Sequence, residues 1–192
     1  MMVGTLGLLF VLSKKATEEP DPRHPVTQAM RAQSQKMSER RLSPFEYSDS
    51  KGKSFKFEKG PAVILTVLHD CPCSMEAQPI FNDLYDVFGA KVPFFGLCRD
   101  KPAEAQRFVE LFKVEFPVLI DAQKKTLKEL EATRSVYIAL IGKDGEIVKV
   151  WPGYDRMMIA ELATRLSELS GLPVPPLVMN TVPNKPTAGC DL

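Results

Sequence analysis

The chain has 192 residues, enough for one domain with a full core plus tails. Its 25 Lys and Arg against 24 Asp and Glu leave a net charge of +1, which argues against a dedicated nucleic-acid binder with its basic patch or stripe. Four cysteines, Cys71, Cys73, Cys98 and Cys190, are too few for a disulfide scaffold, and the first pair is too closely spaced for an ordinary staple.

Residues 1–12 are almost wholly apolar, and Lys14-Lys15 follows. The run is shorter than the roughly 20 apolar residues that span a bilayer. No basic residue precedes it, as a secretory signal would have. Three readings stay open: a signal or anchor, a shallow interfacial anchor, or a frayed apolar terminus. The expectation carried forward is a bacterial extracytoplasmic protein associated with the membrane through residues 1–12, with a cytoplasmic protein as the alternative. Residues 13–41 read as a polar linker. Pro20, Pro22 and Pro25 punctuate it, and Val26, Met30 and Met37 are too sparse to bury a helix firmly.

The domain spans residues 42–171. Residues 43–47 and 54–57 alternate around turn chemistry, which predicts a hairpin with Phe45, Tyr47, Phe55 and Phe57 inward. Residues 62–68 form a continuous aliphatic run, as expected of a central strand covered on both faces. A helix follows over about 73–88, with Gly89 as its C-cap. The remaining order is a strand at 92–97 and a helix opened by Asp100. A strand at 116–120 and a short helix at 124–132 come next. A hairpin of 136–141 with 146–151 around Lys143-Asp144-Gly145 precedes a final helix from Asp155 to Gly171. Strands alternating with helices predict an α/β fold: a mixed central sheet, helices on both faces and an N-terminal β-hairpin. Residues 172–192 form a Pro-rich C-terminal tail, long enough when extended to return to almost any point on the domain.

Chemistry concentrates where the central strand meets its helix. Cys71 and Cys73 lie at or just inside the helix N-terminus. Free N–H groups and a partial positive charge there favour a thiolate, the reactive form of cysteine. Cys71 is the candidate nucleophile. Cys73 is a candidate resolving thiol, a second soft metal ligand, or a packed small residue. Cys190 is the alternative resolver, carried on the tail. Cys98 reads as strand-end packing. His69 is a candidate proton-transfer or orienting group, and Asp70 reads as a helix cap.

The order Ser43-Pro44-Phe45-Glu46-Tyr47-Ser48-Asp49, a cysteine at the helix start, Phe116-Pro117-Val118-Leu119-Ile120-Asp121 and Lys143-Asp144-Gly145-Glu146-Ile147-Val148 resembles redoxin domains. These belong to the thioredoxin-fold group that contains the alkyl hydroperoxide reductase and thiol-specific antioxidant proteins, the peroxiredoxin-like family. The resemblance covers about residues 42–171. It implies a thioredoxin-like fold and thiol–disulfide or peroxide chemistry, with no cofactor and no resident metal. Aligned on Pro79, it sets Cys71 at the nucleophile position and Ser74 where thioredoxins carry a second cysteine, with Pro72 and Cys73 between. Asp70 replaces a customary tryptophan. Arg134, Ser135 and Val136 fall in the loop facing the nucleophile, with Val136 at the usual cis-proline. Typical peroxiredoxins carry a threonine at the place of Leu68 and an arginine at that of Val136. A subset of bacterial redoxin-like proteins has an Asp-Cys-Pro motif and a late Gly-Cys, and Asp70-Cys71-Pro72 and Gly189-Cys190 resemble both.

The expected function is thiol–disulfide exchange with a protein disulfide or dithiol partner, Cys71 attacking and Cys73 or Cys190 resolving. The alternatives are a thiol peroxidase acting on a small hydroperoxide, a Cu(I) binder using Cys71 and Cys73, and a catalytically inactive binding module.

Overall fold

The computed structural model describes residues 24–38 and 40–192, so the apolar residues 1–12 and the first part of the linker lie outside the described residues. In chain order the elements are β1 (His24–Pro25), α1 (Gln28–Met37), β2 (Phe45–Ser48), β3 (Ser54–Phe57), β4 (Ala62–Thr66), α2 (Pro72–Phe88) and β5 (Phe94–Cys98). Then come α3 (Pro102–Phe112), β6 (Val118–Ile120), α4 (Lys125–Glu129), β7 (Ile138–Ile141), β8 (Ile147–Trp151), α5 (Arg156–Ser170) and β9 (Thr187–Ala188). Among the described residues no helix is long and apolar enough to cross a membrane.

β4 is buried along its whole length and lies at the centre of a five-stranded sheet ordered β6-β5-β4-β7-β8. β5 runs parallel to β4 and β6, while β7 runs antiparallel to β4 and β8. The alternation of side chains along β4 feeds two cores. Val63 and Leu65 point into one, with Phe81, Leu84 and Phe88 of α2 and Ile159, Leu162 and Leu166 of α5. Ile64 points into the other, with Phe45, Phe57, Leu127 and Tyr137. Each large side chain buried this way contributes about 1.5–3 kcal/mol. The β2–β3 hairpin seats Phe45 and Phe57 edge-on against Phe95 of β5, while Tyr47 and Phe55 are half-buried. The expected mixed sheet, covered on both faces and preceded by a hairpin, is the observed one.

Three local differences carry physical reasons. The segment around Val26 to Met37, read as spacer, docks on the domain. Thr27 caps α1 by accepting from Met30 N, and Met37 and Val26 are buried, Met37 against the second core. Lys101, not Asp100, is the N-cap of α3. The tail is also docked: Thr187 and Tyr154 exchange both backbone hydrogen bonds, at 2.8 and 3.0 Å, and β9 pairs with β1. Gly153 allows this close approach, since a Cβ there would lie 2.3 Å from Thr187 O.

Candidate active site

At the end of β4 the chain turns through residues 67–71. Val67 N donates to Leu97 O, and Leu68 N donates to Ser74 Oγ, tying the turn to β5 and to the first turn of α2. Cys71 is the N-cap residue of α2 and Pro72 occupies its first turn, where a fixed φ suits a helix start and a missing N–H costs nothing. The cap position thus belongs to Cys71 and not to Asp70, which is exposed.

Facing the sulfur is the loop before β7. Val136 holds φ 56°, a left-handed conformation that costs a β-branched residue on the order of 1–3 kcal/mol. Thr66 offsets it: Val136 N donates to Thr66 O and Thr66 N to Tyr137 O, while Thr66 Oγ1 accepts from Tyr137 N. This turn presents Ser135, wholly buried, to Cys71 with its Oγ 3.0 Å from Sγ. Ser135 thus faces the nucleophile as the resemblance implied, and it is the side-chain hydroxyl that reaches the sulfur.

The tail closes the site. Cys190 N donates to Cys71 Sγ at 3.2 Å. Together these contacts pull the Cys71 thiol from the usual 9.0 down to about 4. The largest cause is the hydrogen bond from the Cys73 thiol. Burial opposes it, and the Ser135 hydroxyl and Cys190 assist it. Cys73 is correspondingly pushed far up by the neighbouring Cys71 sulfur and by burial, and Ala188 O, 3.5 Å from its sulfur, is the alternative acceptor for its one proton. Cys190 is pushed up to about 11, first by burial and then by the neighbouring Cys71 sulfur. Of the three neighbouring sulfurs, Cys71 is thus the one shifted toward the thiolate, while Cys73 and Cys190 are shifted toward the thiol. The buried Cys98 thiol, pushed up to about 12 by burial, donates to Leu119 O at the end of β5, in keeping with packing.

The basic side chains near the site turn to carboxylates. His69 N donates to Asp100 Oδ2 at 2.9 Å, and His69 Nδ1 lies 3.4 Å from the same oxygen. Arg134 pairs with Asp191 of the tail at 3.1 Å. His69, Asp100 and Glu104 bring ligand atoms within 4.8 Å of one another. Asp100 already accepts from His69 N, and Glu104 accepts from Lys101 N. Sequence reasoning found the three sulfurs; it did not find the Ser135 hydroxyl, the left-handed Val136 or the pairing of Arg134 with Asp191.

A family model described as Redoxin matches residues 32–166. No curated protein matches the chain. Among solved structures, an uncharacterized conserved protein from Geobacillus kaustophilus is 20% identical with a TM-score of 0.64, over 79% of this chain and 89% of that one. Peroxidoxin BcpB from Mycobacterium tuberculosis is 21% identical with a TM-score of 0.54, over 69% and 95%. A secreted Mycobacterium tuberculosis disulfide oxidoreductase, homologous to E. coli DsbE, is 21% identical with a TM-score of 0.57, over 65% and 96%. At these identities the likeness is one of fold.

Proposed function

Because the chain belongs to the Redoxin family, and so to the thiol-dependent oxidoreductases, we propose that it performs thiol–disulfide exchange with Cys71 as nucleophile and Cys190 as resolving thiol. The Cys71 thiolate attacks one sulfur of a partner disulfide, and the other sulfur leaves as a thiolate. Cys190 then gives its proton to that leaving thiolate and attacks the Cys71 sulfur of the mixed disulfide. A Cys71–Cys190 disulfide forms, and the partner leaves with one thiol and one thiolate, the latter taking its proton from solvent; the partner has gained the two electrons that Cys71 and Cys190 lost.

The observation that carries this reading is the contact of Cys190 with Cys71 Sγ at 3.2 Å through its backbone N–H. The resolving residue is held against the sulfur it must attack. Cys73 serves instead as the neighbouring thiol that contributes most to lowering the Cys71 pKa. A disulfide between residues 71 and 73 would close a ring too tight for normal disulfide geometry. Exchange is favoured over peroxide reduction because Leu68 and Val136 stand where peroxidases of this family carry threonine and arginine, and Arg134 is engaged with Asp191.

The test is trapping. Cys190→Ser should accumulate a mixed disulfide on Cys71 after mixing with oxidised glutathione, whereas Cys73→Ser should still reach the Cys71–Cys190 disulfide. The reverse pattern would make Cys73 the resolver. Turnover of hydrogen peroxide faster than of disulfides would replace exchange with thiol peroxidase activity.

A further inference from the structure

We infer that the groove over Cys71 selects partner chains with glycine immediately before the reacting cysteine, and that Ser135 sets this specificity. The inference deepens the exchange reading and rests on it.

Residues 189–192 lie antiparallel to residues 133–135. Leu192 N donates to Thr133 O at 2.9 Å, Ser135 N to Cys190 O at 2.8 Å, and Gly189 N to Ser135 O at 3.0 Å. This short ladder brings an extended segment across the site and sets a cysteine beside the nucleophile. A partner cysteine that is to meet Cys71 needs the same placement, and Cys71 is fully buried while the tail lies there. The tail is thus an intramolecular stand-in for the partner, and its contacts describe what the groove accepts.

The position before the cysteine has no room. A Cβ on Gly189 would lie 2.0 Å from Ser135 Oγ, 2.9 Å from Cys71 Sγ and 3.1 Å from Ser135 O. Ser135 has little scope to withdraw, because it is wholly buried and flanked by left-handed Val136, whose N–H is bonded to Thr66 O. Cys71 is the nucleophile itself. The position after the cysteine is the opposite case. The Asp191 side chain is 80% exposed and its carboxylate meets Arg134 at 3.1 Å. The groove therefore takes an extended chain reading glycine, cysteine, then preferably an acidic residue.

The experiment uses full-length Cys190→Ser protein, so that no internal thiol competes at that position. The probes are the peptides Thr-Ala-Gly-Cys-Asp-Leu and Thr-Ala-Val-Cys-Asp-Leu, each joined through its cysteine to glutathione as a mixed disulfide. The Cys71 thiolate attacks the peptide sulfur, glutathione leaves as a thiolate, and the Cys71–peptide disulfide is quantified by mass spectrometry after acid quench. Oxidised glutathione alone serves as control. The glycine peptide should form its adduct on the order of tenfold faster or more than the valine peptide, the discrimination expected where added carbons have no space. Adding Ser135→Ala should shrink that ratio, whatever it does to the absolute rates. Equal rates for the two peptides in the Cys190→Ser protein would overturn the specificity and leave exchange intact. A ratio unchanged by Ser135→Ala would overturn the role of Ser135. No adduct from either peptide or from oxidised glutathione would overturn the exchange reading and this inference with it.

Discussion

Cys71 and Cys190 are 119 positions apart in sequence, and the backbone N–H of one meets the sulfur of the other at 3.2 Å. That contact joins the start of the redox helix to the end of the tail. It gives the buried Cys71 sulfur a donor from the C-terminal tail. A site built this way couples access to the sulfur with its ionisation: what uncovers Cys71 also removes the Cys190 N–H bond that stabilises its charge.

The depressed Cys71 pKa makes an alkylation prediction. In the reduced protein Cys71 should be the thiol labelled by iodoacetamide at pH 6, and its labelling rate should fall as pH drops through about 4. Cys73 and Cys190, whose thiols are raised, should stay unlabelled at that pH. Peptide mass spectrometry after timed labelling reads this directly.

The same shift has a consequence for stability. A group whose folded pKa is depressed stabilises the fold above its unfolded value and loses that contribution as pH falls through the folded value. Reduced wild type should therefore gain stability relative to Cys71→Ser as pH rises from about 4 toward 9.0. Urea denaturation of the two proteins across that range measures the difference.

How much of this was legible beforehand depended on whether the signal was local. The strand run Ala62 to Leu68, the helix stripe after Cys73 and the Lys143-Asp144-Gly145 turn are local patterns, and each became the expected kind of element. Asp100 next to Pro102 looked like a helix cap, but its carboxylate is taken by the His69 N–H 31 residues away. Asp121 stands at the end of β6, as the strand pattern predicts, and also accepts from Lys125 N and Leu127 N to start α4. The docking of Met37 and of the tail depends on surfaces that form only once the sheet is folded, so no periodicity announces it. Cys71 and Cys73 were legible because a helix N-terminus activates cysteine, and Cys190 because the tail that carries it is long enough to return to the domain; the serine that bonds Cys71 was not, because a lone serine in a loop carries no pattern.

Removing the Ser135 hydroxyl tests the second support of the thiolate. A hydrogen bond to a charged group contributes about 1.5–3 kcal/mol. Ser135→Ala should raise the midpoint of the Cys71 alkylation profile while the bonds from Cys73 and Cys190 keep it below the usual 9.0. The profile of the variant against wild type is the measurement.

Met37→Ala tests the docking of α1. Met37 is 1% exposed in the second core, and truncating a buried methionine costs about 2–5 kcal/mol. Chemical denaturation should show a loss in that range; an undocked spacer would give almost none.

Asp191→Ala tests how firmly the tail is latched. Its carboxylate meets Arg134 at 3.1 Å but is largely exposed, so the pair contributes less than about 1 kcal/mol. Global stability should barely change, and Cys71 should be alkylated only a few-fold faster, because the backbone ladder from 189 to 192 remains. Stopped labelling at fixed pH compares the two proteins.

The most direct measurement is the identity of the disulfide formed when the reduced full-length protein meets one equivalent of oxidised glutathione. Free thiols are blocked at intervals of seconds and the protein is mapped by peptide mass spectrometry. The account predicts a short-lived Cys71–glutathione adduct that decays into a Cys71–Cys190 disulfide, with Cys73 and Cys98 blocked as free thiols throughout. A first adduct on any other cysteine, or no adduct at all, would contradict Cys71 as the nucleophile; a final Cys71–Cys73 disulfide would contradict the tail as resolver.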